Sequence, residues 1–443
     1  MAALVMFTGA AIASALATQS DDQTLIRAGI NPHPVHLMRP ASAPLSAMAR
    51  LGRAIFFDPR LSSSGKISCA SCHSPAFAYA APSTQAVMRA GPHLESEGLR
   101  AVPSLMYLER QPAFSIGADA NETDAPTPLP IPANASQLAR KTAADPTQAQ
   151  SNLVPQGGLF WDGRVDTLQR QAHEPLLDPT EMDGGSDERV ATKLRSAAYA
   201  PLMRELFGPT IFARPEAAVA QALFALARYQ IEDPSFHRYA STFDAWLEGK
   251  ARLTPSEARG YQAFNDPQRG NCAACHLDRP TPEGYPPLFT DHQFEALGIP
   301  RNVMLARNHD PEFYDLGLCG PKRVDLRAQA GYCGFFLTPT LRNVATRAVF
   351  FHNGLYRSLH AVLDFYTYRD IAPERTVPKN QSAVTSPAAD LPSADFENID
   401  RTDPPLDRSP GSPPALSPQD EADIIAFLGT LTDRGFSVRQ SLR

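Results

Sequence analysis

The chain has 443 residues, with 41 basic against 47 acidic side chains and a net charge of −6, which is long enough for two domains. No run of like charge and no basic footprint for a phosphate backbone is present, which argues against nucleic acid as a partner. Its 42 prolines, roughly twice the usual share of about 5%, predict a mainly α protein whose helices are joined by long, stiffened, irregular loops, with few strands.

Residues 1–17 form an apolar run closing on Ala15-Leu16-Ala17, the small-x-small pattern of a secretory cleavage site. The expectation is a signal peptide over 1–17, export to the periplasm, and a mature chain without a membrane span, because the run is shorter than about 20 residues and no other long apolar stretch follows. No Lys or Arg precedes Arg27, so a buried first helix is the alternative. Further along, Gly52-Arg-Ala-Ile-Phe56-Phe-Asp58-Pro59 leads into Cys69-Ala70-Ser71-Cys72-His73. Gly260-Tyr-Gln-Ala-Phe264-Asn-Asp266-Pro267 leads into Cys272-Ala273-Ala274-Cys275-His276, so one unit occurs twice. Residues 117–158 and 372–414 look structureless and read as long surface loops. Residues 216–229 are alanine-rich and helical in pattern, and 242–249 read as the exit from that helix. The predicted domains are therefore 18–245 and 246–443. Thr254-Pro255-Ser256-Glu257 is a capping box with proline at the first helical position, which predicts a helix to about Asn265. Ser417-Pro418-Gln419-Asp420-Glu421 opens another, with Ile424, Ile425, Phe427, Leu428 and Leu431 at helical spacing. Outside the repeated motif stand Cys319 and Cys333, expected as a disulfide in an exported chain, with two buried thiols as the alternative.

In C-x-x-C-H the thiols sit three apart on one helical turn, so both can add to the vinyl groups on one porphyrin edge, and the next histidine reaches the iron. Cys69, Cys72, Cys272 and Cys275 are thus the predicted attachment points of two covalently bound heme c groups, and His73 and His276 their proximal iron ligands. A zinc site needs four ligands, and neither motif has a second Cys or His pair at finger spacing.

Phe160-Trp161-Asp162-Gly163-Arg164, Leu168-Gln-Arg-Gln171-Ala172 and Glu174-Pro175-Leu-Leu-Asp-Pro179-Thr-Glu181-Met182 resemble the bacterial diheme cytochrome c peroxidase and MauG family. So do Phe289-Thr-Asp-His292-Gln-Phe294-Glu-Ala-Leu-Gly298 and Thr338-Pro-Thr-Leu-Arg-Asn343-Val. The resemblance implies two cytochrome c-like domains and a heme peroxidase. Gln171 and Glu181 match the distal pocket over the N-terminal heme, where a carboxylate moves the peroxide proton, and Pro175 matches the residue that helps keep the sixth iron position open. Trp161 falls between the hemes as a relay for electron holes, and Tyr366 stands at the distal position of the second iron, where ordinary diheme peroxidases have methionine. The bland readings are surface residues for Gln171 and Glu181, core packing for Trp161, and a structural tyrosine, like Tyr356 and Tyr368, for Tyr366.

Two positions depart from the family. Ala101 stands where an Asn side chain usually binds an interdomain calcium, which makes calcium a doubtful cofactor. The switchable distal histidine aligns to Arg89 counted from His73 and to His93 counted from Ala101; the expectation is an open first heme. Tyr366 implies a MauG-like enzyme that uses hydrogen peroxide to form high-valent heme and oxidises a periplasmic partner protein by long-range electron transfer. Peroxide detoxification with a small cytochrome or copper protein as donor, and a non-enzymatic diheme electron carrier, are the alternatives. Tyr314-Asp-Leu-Gly-Leu-Cys319-Gly-Pro, Gly331-Tyr-Cys333-Gly and Val349-Phe-Phe-His-Asn-Gly354 resemble the MauG-like enzymes related to the one in methanobactin operons.

Overall fold

A computed structural model describes residues 21–118, 153–378 and 390–438; the expected signal peptide and the middles of both long loops lie outside the described residues. Helices and irregular connections dominate, with three two-stranded antiparallel ribbons among the described residues. This is the mainly α architecture that the proline content predicts.

The repeated unit explains the frame. Helix α1 (Ala47–Phe56) starts where the Ser46 side chain accepts from the Ala49 N–H, and it buries Leu51, Ile55 and Phe56 on one stripe. It is followed by the one-turn helix α2 (Cys69–Cys72), then α3 (Leu168–Leu177), α4 (Asp187–Arg195), α5 (Ala200–Phe207) and α6 (Pro215–Glu232). Helix α1 crosses α6 so closely that a Cβ on Gly52 would stand 1.9 Å from the Ala225 carbonyl oxygen. After α7 (Thr242–Leu247), helix α8 (Pro255–Asn265) repeats the geometry: its capping box forms between Thr254 and Glu257. A Cβ on Gly260 would stand 1.9 Å from the Asp423 carbonyl oxygen of the last helix. That helix is α10 (Pro418–Gly429), capped by Ser417 and Asp420, and it follows α9 (Leu359–Tyr368). Each half is thus a pair of helices crossing at a glycine, with a C-x-x-C-H turn after the first.

Two apolar cores result. Phe56, Tyr79, Tyr229 and Phe236 centre the first, with Tyr79 stacked on Phe236 at 3.8 Å. The second gathers Phe243, Trp246, Phe264, Phe289 and Phe427. Helix α7 therefore packs into the second core, where the sequence pattern reads as an exit from the first. Leu37 joins the second core, and Phe436 packs on the first, so the first and last described stretches each pack on the far half.

Both long loops differ from the sequence expectation where they are described. The flanks of the first form a ribbon, β3 (Ser115–Ala118) with β4 (Leu153–Gln156), pairing Ser115 with Gln156 and Gly117 with Val154; the shorter ribbons are β1 (Arg89–Ala90) with β2 (Ser96–Glu97) and β5 (Phe294–Glu295) with β6 (Phe336–Leu337). Residues 390–406 are not a surface loop. Leu391, Ile399 and Leu406 are buried. A 3₁₀ helix, Ser393–Asn398, presents Asn398 to the Ala330 and Cys333 carbonyls at 2.7 and 3.0 Å. Cys333 is disulfide-bonded to Cys319.

Adding a methyl group at either crossing forces backbone apart. Gly52→Ala and Gly260→Ala are each expected to lose about 1–3 kcal/mol or more in denaturant unfolding of the heme-loaded protein. Gly429→Ala in α10, with nothing within 4 Å of its added Cβ, is expected to be neutral or stabilising by up to about 1 kcal/mol.

Candidate heme sites and the junction between them

His73 closes the turn of α2, its N–H donating to the Cys69 carbonyl at 2.8 Å. Its Nδ1 lies 3.1 Å from the Tyr79 carbonyl oxygen. A carbonyl only accepts, so Nδ1 carries the proton and Nε2 is left as the ligand atom. The second site repeats this: His276 donates its N–H to Cys272 at 2.9 Å and sets Nδ1 2.9 Å from the Phe289 carbonyl. Burial lowers both imidazoles to a pKa of about 4, so they are neutral, as iron ligands must be. The four motif cysteines are free thiols. Two vinyl-directed thiols and one neutral, oriented imidazole per motif fit a covalently attached heme at each.

Two cavities meet inside the molecule. The larger is walled by Cys272, Cys275, His276 and Tyr366, with Leu391 and Pro404 from the segment 390–406. The smaller is walled by Gln171, Phe160, His292 and Met106. Trp161 and Arg347 line both. The Trp161 indole Nε1 donates to the Ala101 carbonyl at 2.8 Å, and its own carbonyl accepts from Leu337 N–H at 2.9 Å.

Beside Trp161 lies a buried ion network. Asp162, with no exposure, accepts from Arg100 at 2.7 Å and from Arg164 at 2.8 Å. Arg100 also holds both Asp315 oxygens at 2.7 Å. Burial alone would raise the Asp315 carboxyl, but Arg100 keeps it below the usual carboxylate range. These residues do not fit a calcium ion: Ala101 has no side-chain oxygen, its carbonyl is taken by Trp161, and a guanidinium already neutralises the nearby carboxylates.

Gln171 is buried on α3 and faces the smaller cavity. Pro175, four residues on, lacks the N–H that would bond the Gln171 carbonyl. The chain then turns back through bonds from Met182 N–H to Pro175 O at 3.0 Å and from Gly91 N–H to Glu181 O at 2.7 Å. Neither Pro175 nor Glu181 lines a cavity wall, but Glu181 is near the first motif: burial first, and Glu181 second, push the Cys72 thiol up to about 12. Glu181 itself is raised to about 7 by burial and by the Asp178 carboxylate. On the other side, Tyr366 projects from α9 into the larger cavity, while Tyr368 lies under the Arg375 guanidinium at 3.5 Å and is not part of that wall. His93 is exposed in the turn between β1 and β2, Arg89 pairs with Glu97 at 3.0 Å, and neither reaches a cavity wall.

Sequence reasoning gave no role to Arg347 and read residues 390–406 as part of a surface loop. Both take their places from tertiary neighbours, and no local pattern marks either.

A family model described as di-haem cytochrome c peroxidase matches residues 46–252. The methylamine utilization protein MauG of Paracoccus denitrificans is 31% identical over 408 residues, covering 90% of this chain and 91% of that one. The diheme peroxidase BthA of Burkholderia thailandensis superposes with a TM-score of 0.74 at 33% identity, over 90% of this chain and 89% of that one. A MauG-like protein associated with microbial copper homeostasis has the same fold, with a TM-score of 0.57 at 23% identity over 93% and 98% of the two chains.

Since a guanidinium occupies the interdomain position, exhaustive treatment with a calcium chelator is expected to leave the heme spectra and the thermal midpoint unchanged. Arg100→Met, which leaves the buried Asp315 without its guanidinium and Asp162 with Arg164 alone, is expected to cost about 3–5 kcal/mol in unfolding experiments.

Proposed function

The chain belongs to the di-haem cytochrome c peroxidase and MauG family, and from that premise we propose that it is a periplasmic enzyme that reduces hydrogen peroxide and oxidises a partner protein by long-range electron transfer. The observation that carries this reading is Trp161, one aromatic ring in the walls of both cavities. When bound, the two hemes supply the redox chemistry, in which peroxide takes two electrons and two protons to give two waters and the partner loses two electrons.

The chain's own residues supply orientation and proton transfer. Gln171 orients the peroxide beside the first motif. The Glu181 carboxylate takes the proton from the inner peroxide oxygen and returns it to the outer one, so that water leaves. A pKa near neutrality suits both steps. Tyr366 and Trp161 would flank a heme held in the larger cavity, a placement that would suit electron transfer from a protein docked outside. Tyr366 in place of methionine supports modification of a partner over simple detoxification, because a tyrosine held against the second heme would, as a phenolate, lower its reduction potential. The Tyr314–Pro321 and 349–354 phrases support a finer place beside the MauG-like enzymes of methanobactin operons. Export rests on the apolar run 1–17; no helix among the described residues is long and apolar enough to cross a membrane.

The test is one equivalent of hydrogen peroxide added to the diferric holoprotein without reductant. Rapid spectral change at both hemes is expected. No change until one heme is reduced would overturn this reading in favour of a closed peroxidase fed by a donor protein. The base form of Glu181 is the ionised one, so the peroxide reaction should quicken as pH rises from 5 and level off above about 7. Glu181→Gln should lose that limb and slow the reaction about 10²–10⁴-fold, as stopped-flow spectra would record.

A further inference from the structure

Arg347 follows the 3₁₀ turn Val344–Thr346 and is a wall residue of both cavities. Its guanidinium donates to two backbone carbonyls, Val102 at 3.1 Å and Val349 at 3.4 Å, and no carboxylate of a described residue pairs with it. The other guanidiniums around the junction are all matched: Arg100 and Arg164 on Asp162, and Arg342 on Asp244 at 2.6 Å. Burial alone lowers Arg347 to about 10, with no neighbouring anion to raise it. A guanidinium removed from water without a counter-charge is costly, which makes an anion of the loaded protein the natural partner here.

The composition of the two walls favours the first heme, whose ligand His73 sets its Nδ1 on the Tyr79 carbonyl, between Ala78 and Ala80 of the smaller wall. Glu295, Asp315, Asp390, Asp400 and Asp403 are all on the wall of the larger cavity. The wall of the smaller one has no carboxylate among its described residues, and its other arginine, Arg342, is spent on Asp244. The Arg347 charge also reaches His73, the proximal ligand of the first site. A heme c is tied down along its vinyl edge and carries its two propionates on the opposite edge, away from the cysteines. We propose that Arg347 is the positioning residue for a propionate of the first heme, forming an ion pair with it at the junction beside Trp161. The planar fork of arginine suits a carboxylate bidentately, which lysine cannot reproduce. This inference needs two attached hemes but neither the partner protein nor the peroxide chemistry proposed above.

The experiment uses resting holoprotein without peroxide. Resonance Raman spectra report the propionate bending mode of each heme, and spectroelectrochemistry reports each midpoint. In Arg347→Met the mode of the first heme is expected to shift and its midpoint to fall, since a positive charge that disfavours the ferric state is gone. In Arg347→Lys the mode should still shift, while the midpoint stays nearer to that of the parent protein. Covalent attachment keeps both hemes in place, and if the Met variant fails to accumulate, the Lys variant decides by its Raman mode. An unchanged mode at the first heme, or a shift confined to the second, overturns the assignment.

Discussion

A carboxylate shut away from water organises the centre of this molecule. Asp162 has no exposed surface, and an unpaired charge there would cost several kcal/mol; it persists because Arg100 and Arg164 both donate to it. The pairing is a zipper between two dipeptides. Arg100 reaches Asp162 while the neighbouring Trp161 indole reaches the carbonyl of the neighbouring Ala101. Neither contact can slip without losing the other. Arg100 then needs Asp315 to balance its second face, and Arg323 donates to the Asp162 carbonyl at 2.9 Å. Both of those residues come from the other half of the chain, so the ring between the cavities is fixed by the same charges that hold the halves together.

On this axis the two halves share a frame and differ in cover. Gly52 and Gly260 make the same close helix crossing, and His73 and His276 present the same nitrogen by the same backbone bond. What lies over each site departs from that symmetry. Near the first, α3 puts Gln171 on the wall of the smaller cavity, and the turn after its Pro175 brings the Glu181 carboxyl close enough to act on the Cys72 thiol. Over the second, α9 brings Tyr366, and residues 390–406 close the cavity with Leu391, Pro404 and Leu406. The cover of the second site is apolar at these points and backed by the Cys319–Cys333 disulfide through Asn398.

How much of this was legible in the sequence follows the range of the interactions. The C-x-x-C-H spacing, the Thr254 and Ser417 capping boxes and the repeated Gly52 and Gly260 units are fixed within a few residues, and all are found in the fold. The mainly α class also read correctly, because proline suppresses strands locally. Residues 390–406 read wrongly as surface loop: Pro, Ser and Asp dominate their composition, and the buried Leu391, Ile399 and Leu406 follow no helical or strand period. Residues 242–249 read as the exit from the alanine-rich helix and not as helix α7, since Phe243 and Trp246 choose a core only when Phe289 and Phe427 arrive from far along the chain. Arg347 was illegible for the deepest reason. Its lack of a counter-charge is a property of the folded interior, and nothing next to it in sequence marks it.

The charges at the junction are able to hold the two halves together in the way a calcium ion would. A divalent ion between two halves draws oxygen ligands from both and fixes their spacing. Arg100 does the same with directional N–H bonds, which demand planar carboxylates at set angles. Asp315 meets that demand with both oxygens at 2.7 Å. The cost of the exchange is that the cation can no longer be exchanged or removed. A fixed guanidinium makes the spacing between the halves a property of the polypeptide itself, independent of the ions around it.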